Sequence, residues 1–259
     1  MISRLLRHLA IALSAATLGL SLRAADAPSK VEPAIIAKAR AYLGKESALN
    51  GVDSLRYVGT MTATDAATPD KQDRSAIEIS FQKSYQQLIV VTSEKIVDTT
   101  GLDNYEAWRR THEVANPAKW KQANLDRNQI KRLRAETWEN LSFLRGDARS
   151  EVRVEDRGAA KVDGVACQKI AFVHDEAIMF FRFFEVATGR LVLTETEAGT
   201  QIREEGEIVA NGIKFPKSMT TVTKTASGPG QKLTIVFDQV VVNETMPNAM
   251  FKTPMLLAK

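Results

Sequence analysis

Few residues of this sequence have the types and spacing that enzymatic chemistry needs. The histidines are His8, His112 and His174. The run His174-Asp175-Glu176 combines an imidazole with two carboxyl groups, a set that suits acid–base catalysis or metal binding. His112 is not followed by a second histidine four residues on, so the metalloprotease helix pattern is absent. We interpret His174-Asp175-Glu176 as a polar turn between two strands and predict no catalytic and no metal-binding residues.

The single cysteine offers no stronger case for chemistry. Cys167 lies within a predicted strand, where a buried unreactive thiol is more common than a nucleophile. The sequence contains no glycine-rich phosphate loop, no paired-cysteine metal motif and no Gly-x-Ser-x-Gly elbow. We therefore expect a protein without enzymatic activity and without a cofactor. A hydrolase that uses His112 and His174 is the least favoured alternative.

The N-terminus has the parts of a secretory signal. Arg4 and Arg7 are followed by an apolar run of 14 residues, from 9 to 22, which is shorter than the ~20 residues a membrane-spanning helix needs. Alanines 24 and 25 suit cleavage, and no cysteine at this junction could carry a lipid. We predict a cleaved signal peptide over residues 1–25 and a single periplasmic domain over residues 26–259. Removing the leader lowers the formal net charge from +4 to +1, which argues against a nucleic-acid partner.

Two amphipathic helices are predicted to cover the rest of the fold. The first spans about residues 32–43, with Ile35 and Leu43 on its apolar face. The second begins near Asp126, which forms a capping pair with Gln129, and ends at Gly146. Asn116-Pro117 predicts the start of a shorter helix before it.

Short strands in alternating pattern fill most of the remaining sequence. About ten or eleven strands, separated by turn dipeptides such as Asp163-Gly164, are typical of a barrel or a sandwich. No helix-length connection separates consecutive strands after Gly146, so the sheet must be antiparallel. A sheet of this length curls, and the two helices are available to cover its concave face.

The order of these segments resembles the bacterial outer-membrane lipoprotein-sorting superfamily, which includes the periplasmic lipoprotein carrier and its outer-membrane receptor. The resemblance spans nearly all of the mature chain and depends on the export leader and on six segments: 37–44, 55–60, 163–170, 183–191, 211–216 and 241–254. It implies a mainly β fold with helices (α+β), in which an unclosed antiparallel β-barrel holds amphipathic helices across its concave face. It also implies an apolar hollow that takes acyl chains. No motif shows which arginine would correspond to the one that holds the carrier's helical cover closed.

From this resemblance we predict a soluble periplasmic carrier whose partners are lipid or lipoprotein acyl chains. A receptor protein at the inner or outer membrane and transient membrane contact are further expected partners. A 16-carbon chain in water costs roughly 12 kcal/mol, so an aqueous carrier must enclose it. The alternative is an envelope sensor or interaction module that detects lipoproteins and signals to a protein partner. The residues predicted to line or gate the hollow are Ile35, Leu43, Ile79, Phe81, Leu133, Trp138, Leu141, Phe181 and Phe183.

Overall fold

The computed structural model describes residues 32–65, 68–146, 152–225 and 228–255. The predicted signal peptide, residues 1–25, lies outside the described residues. Within these ranges, no helix has the length and apolar character required to cross a membrane.

Thirteen strands in the described part of the chain form one antiparallel sheet with the order β6-β5-β4-β3-β2-β1-β13-β12-β11-β10-β9-β8-β7. The sheet consists of two meanders joined where β1 pairs with β13. Strands β6 and β7 are its two edges, so the barrel is unclosed. The strands are β1 (Ser54–Asp65), β2 (Thr68–Gln82), β3 (Gln86–Thr92), β4 (Ile96–Asp103), β5 (Glu106–Glu113), β6 (Trp120–Asn124), β7 (Arg153–Val162), β8 (Val165–Asp175), β9 (Ile178–Glu185), β10 (Leu191–Thr196), β11 (Gln201–Ala210), β12 (Ile213–Thr225) and β13 (Gly228–Val242).

The predicted antiparallel class is confirmed, but the described residues form thirteen strands where about ten or eleven were predicted, and two of the thirteen have no predicted counterpart. One is β4, whose alternation is obscured because Asp98 points inward and is buried against Arg109. The other is β6. The short helix predicted at Asn116-Pro117 is wrong, because these residues form a turn that leads directly into β6.

The turn residues behave as their chemistry predicts. Asp163 and Gly164 have φ angles of 47° and 86°, as a type I′ hairpin turn requires. The connection between β11 and β12 follows the same pattern, with φ angles of 50° at Asn211 and 74° at Gly212. These turns keep consecutive strands adjacent and antiparallel.

Three helices lie on one face of the sheet in the described residues: α1 (Ala34–Leu43), α2 (Glu46–Asn50) and α3 (Arg127–Leu141). The Asp126 side chain accepts hydrogen bonds from the backbone of Asn128 and Gln129, and the Gln129 side chain accepts one from the Asp126 backbone. This capping box satisfies backbone donors at the start of α3. The predicted capping pair is therefore confirmed.

The core consists of two main clusters beneath these helices. One joins the end of α3 to β1, β12 and β13 through Leu141, Leu55, Ile213 and Phe237. The other places α1 and α3 against the inner side of β8 and β9, and includes Ile36, Ala39, Ala135, Ile170, Phe172, Phe180 and Phe184. Both clusters lie on the face of the sheet that α3 covers.

Candidate functional site: the concave face beneath α3

Helix α3 contacts both halves of the sheet. On one side, Thr137 donates a hydrogen bond to Gln87 of β3, with 3.1 Å between the two side-chain oxygens. On the other side, Lys131 Nζ lies 2.7 Å from the Asp175 carboxylate at the end of β8. Seven strands separate β3 from β8 in the sheet. A single helix reaches both only because the sheet curls around it, so α3 lies across a concave face.

A buried charged cluster attaches α3 to β8 and β9. Glu139 Oε1 lies 2.6 Å from His174 Nε2, and Glu139 Oε2 lies 2.7 Å from Arg182 Nη1. The Arg182 contact is an ion pair without hydrogen-bond geometry, which leaves both atoms without a hydrogen bond. The three side chains are only 4, 11 and 12% exposed for Glu139, His174 and Arg182. Such a cluster specifies where the helix docks, because any other position would leave buried charge uncompensated.

The C-terminal end of α3 has a second anchor. Arg40 of α1 is 3% exposed, and its guanidinium donates hydrogen bonds to the backbone carbonyls of Ser142 and Phe143. The same group donates to both carboxylate oxygens of Glu46. This anchor satisfies carbonyls that the helix end leaves free. The end of α3 near Ser142 is therefore held more firmly than its first turn.

One face of α3 is directed into the barrel. Thr137 and Glu139 occupy the two sides of the helix that contact the sheet, and Leu133, Glu136 and Asn140 share a face between those sides. Burial, together with the nearby charge of Glu197, raises the pKa of Glu136 to about 7, although Arg132 partly opposes the shift. Glu136 still retains some accessible surface. Glu136 is half-buried and lies between the two sides of α3 that contact the sheet, so we assign this face of α3 to the interior.

The sheet contributes an apolar floor to this interior. Met61 of β1, Ile77 of β2 and Val91 of β3 are 5, 3 and 4% exposed and form a cluster with half-buried strand residues, Ile79, Ile89, Leu233 and Ile235. Among the described residues this cluster contains only strand residues. The concave face therefore carries an apolar surface made by the sheet alone, beside the region where α3 packs.

A separate cleft of about 360 Å³ lies beneath the first turn of α1, next to the β7 edge. Its size is at the lower end of ordinary ligand pockets. Apolar residues and polar groups share its lining, which consists of Pro33, Ala34, Ile35, Lys38, Asp156, Gln168 and Val186. At the level of α3 the concave face is instead filled by the helix and by buried residues such as Leu141 and Phe143.

Several residues predicted to line a hollow lie on the covered face of the sheet. Ile79 and Phe81 pair with Tyr57 and Leu55 of β1, whose side chains point inward. Leu141 is buried in the same cluster. On α1, Leu43 packs against both core clusters, and Ile35 packs at the sheet and lines the cleft.

The remaining predicted residues are distributed over three different surfaces. Leu133 is on the interior face of α3, whereas Trp138 stacks on Tyr85 with 6.4 Å between ring centroids. Phe181 and Phe183 lie on the convex side of β9, where they pack with Cys167 and Leu193. Successive strand residues point to opposite faces, so the inward positions of β9 are Phe180, Arg182 and Phe184. Phe181 and Phe183 therefore do not line the concave face.

Sequence reasoning missed the polar residues of the interior. His174 was assigned to a turn, but it lies near the end of β8 and contacts α3. Arg182 stands as the only charged residue within the Phe-rich stretch 179–184. That interruption of an apolar strand was the available signal, because a charge at such a position needs a partner from another element.

The residues first considered for chemistry lie on two strands, His112 on β5 and both His174 and Cys167 on β8. In the described ranges, no group of three or more His, Cys, Asp and Glu side chains could hold a metal ion. His112 lies opposite Trp120 on the β5–β6 pair. Cys167 is 1% exposed, and burial raises the pKa of its thiol, which makes the reactive thiolate less available.

Comparison with solved structures identifies the architecture. A LolA superfamily protein from Nitrosomonas europaea aligns over 87% of this chain and 99% of its own length, with a TM-score of 0.55 and 10% sequence identity. The fold is LolA-like. A putative outer-membrane lipoprotein-sorting protein domain from Vibrio parahaemolyticus aligns over 83% of this chain and 94% of its own, with a TM-score of 0.53 and 9% identity.

A third solved structure has the same architecture. It is a DUF1329 family protein from Desulfovibrio piger that aligns over 86% of this chain and 98% of its own, with a TM-score of 0.53 and 10% identity. No protein-family model matches the sequence, and no curated protein matches it either. The chain thus shares an architecture with proteins whose sequences are only 9–10% identical to its own.

Proposed function

We propose that this LolA-like protein is a non-enzymatic periplasmic carrier that binds lipid, or the acyl part of a lipoprotein, on the concave face of its sheet. The observation that carries the proposal is the position of α3. The helix spans the concave face through polar contacts to both halves of the sheet, next to an apolar floor that the strands form by themselves. An acyl chain would displace α3 from this face and take its place against the strands.

A comparison of approximate free energies supports movement of α3 when an acyl chain binds. Partly exposed ion pairs such as Lys131–Asp175 contribute about 0–1 kcal/mol each. Ala135 is the buried apolar residue of α3 outside its anchored C-terminal end, and exposing its small side chain would cost about 1 kcal/mol. Enclosing a 16-carbon chain returns roughly 12 kcal/mol. This gain exceeds those costs, and the buried Glu139 cluster then accounts for why α3 stays docked in the absence of cargo.

Native mass spectrometry of the purified mature protein tests carriage directly. We expect co-purified lipid, or saturable uptake of a fluorescent fatty acid by delipidated protein. A clean mass without lipid, combined with no fatty-acid uptake, would refute the proposal.

A covalent lock on α3 tests the mechanism. Because Arg40 holds the C-terminal end of α3, the N-terminal half of the helix must move for the concave face to open. Lys131→Cys and Asp175→Cys, in a Cys167→Ala background, place two accessible thiols where the ion pair now lies. After linkage with a short bis-maleimide we expect fatty-acid uptake to be lost.

The matched control is Lys131→Cys alone, treated with the same reagent. It carries the modification without the link and should retain uptake. Unchanged uptake in the linked protein would show that α3 does not cover the binding surface, even if lipid binds elsewhere.

A further inference from the structure

Among the polar side chains on the concave face of the sheet are Tyr57, Arg182 and Glu204. Glu204 of β11 pairs with Met219, Met219 with Ile235, and Ile235 with Met61 of β1. Residues directly opposite each other in an antiparallel pair point to the same side, so Glu204 shares a face with Met61. Tyr57 lies four residues before Met61 on β1 and has the same orientation.

Arg182 belongs to the same face. It pairs with Thr194 of β10, which in turn pairs with Ile202 of β11, two residues before Glu204. Because the sheet curls around α3, side chains that point inward from β1, β9 and β11 converge. Tyr57, Arg182 and Glu204 therefore form a polar trio within the concave face, next to the apolar floor.

The trio has unused hydrogen-bonding capacity. In the described ranges, the Tyr57 hydroxyl and the Glu204 carboxylate have neither a hydrogen bond nor an ion pair. The Tyr57 ring is buried among Phe81, Phe215 and Phe237, but its hydroxyl is not among the fully enclosed atoms. Buried polar groups normally find partners. Because neither the Tyr57 hydroxyl nor the Glu204 carboxylate is fully enclosed, a partner from outside the chain can reach both groups.

The charged side chains around Tyr57 and Glu204 indicate the sign of the charge on a ligand that binds there. The guanidinium of Arg182 is already paired with Glu139 at 2.7 Å, so it does not fully compensate Glu204. Burial raises the pKa of the Glu204 carboxyl, and Arg182 opposes that shift. Burial raises the pKa of the Tyr57 hydroxyl, and the nearby charge of Glu204 raises it further. A cation that donates hydrogen bonds would satisfy both groups, whereas an anion would meet two carboxylates.

We propose that Tyr57 and Glu204, positioned beside the Arg182–Glu139 pair, bind the primary ammonium group of an amphiphile whose chain lies along the floor formed by Met61, Ile77 and Val91. This inference rests on the proposed carriage and adds the chemical class of the head group. Ammonium suits the site because it is a compact cation with three donors.

Three ligands with the same 16-carbon chain separate the head-group effect from binding of the chain. Hexadecylamine, hexadecanol and palmitate would each displace the neutral fluorescent probe N-phenyl-1-naphthylamine from the full mature protein at pH 8, with each ligand kept below its aqueous solubility limit. We expect hexadecylamine to bind about tenfold more tightly than hexadecanol, because a hydrogen bond to a charged group contributes that much or more. Palmitate should bind most weakly of the three, but its chain should still displace the probe, in agreement with the fatty-acid uptake expected above.

Glu204→Gln should remove the amine preference by lowering hexadecylamine affinity about tenfold, whereas hexadecanol affinity should fall by much less. The matched control is Glu205→Gln, the neighbouring exposed residue on the opposite face, which should keep the preference. Tyr57→Phe, which removes only the hydroxyl, should lower hexadecylamine affinity severalfold and hexadecanol affinity by less. It provides an independent test should Glu204→Gln fold poorly.

Different results would refute the ammonium site and the proposed lipid carriage. Equal affinity for all three ligands, or tighter binding of palmitate than of the amine, would overturn the ammonium site and leave carriage intact. Failure of all three ligands to displace the probe would refute carriage itself, and the ammonium site with it.

Discussion

Replacing Glu136 by glutamine should stabilise the protein at neutral and alkaline pH. Burial and the charge of Glu197 raise the pKa of this carboxyl from 4.5 to about 7 in the folded protein. The folded state therefore binds the proton more tightly than the unfolded state, and the associated stability is present at low pH and lost as the pH rises from about 4.5 through 7. A shift of this size corresponds to about 3 kcal/mol as an upper bound. Since Glu136 keeps some accessible surface, we expect Glu136→Gln to gain about 1–3 kcal/mol at pH 8 and almost nothing at pH 4.

Urea unfolding of both proteins at pH 4, 6 and 8 measures this difference. The free energy of unfolding of Glu136→Gln should exceed that of the wild type progressively as the pH rises. Glu205→Gln is the matched control, because its exposed carboxyl on β11 should change stability by little at every pH. A gain that does not depend on pH would refute the assignment of Glu136 to a desolvated interior face. An unchanged stability at pH 8 would refute it as well.

Three further substitutions test the contacts that hold the fold. Glu139→Ala leaves Arg182 buried without its carboxylate and should cost about 3–5 kcal/mol in urea unfolding, so a loss below 1 kcal/mol would contradict the buried pair. Gly101→Ala places a methyl group where the Trp108 indole lies and should cost about 1–3 kcal/mol, with a changed near-UV circular dichroism signal as the check. Asp126→Ala removes the capping box of α3 and should lower the free energy of unfolding by about 1 kcal/mol, whereas Asp126→Asn should retain most of it.

Local patterns were sufficient to predict most elements. The cap at Asp126 and the apolar spacing after it predicted α3, because helix initiation depends on neighbours within one turn. The dipeptide Asp163-Gly164 predicted a hairpin, because its two positive φ angles are a local property of the turn. Alternation in β2 likewise matched the observed faces, with Ile79 and Phe81 on the covered side.

The interior depended on pairings between residues that are far apart in the chain. The stretch around Phe181 is apolar on both faces, so its sequence could not show that Phe180 points inward while Phe181 points outward. A shift of one residue in strand register exchanges the two faces, and only pairing with β8 and β10 sets that register. For this reason the sequence alone could not place Phe181 on the convex side, where the structure has it.

By itself the sequence determined an antiparallel sheet with amphipathic helices, since turns, caps and alternation are decided within a few residues. Only the tertiary structure decided that α3 bridges two distant halves of the sheet, and that Tyr57, Arg182 and Glu204 meet on its concave face. These three residues come from strands that are distant in sequence, and it is the curvature of the paired sheet that brings them together. Curvature is a property of all the strands together, which is why no single segment could reveal it.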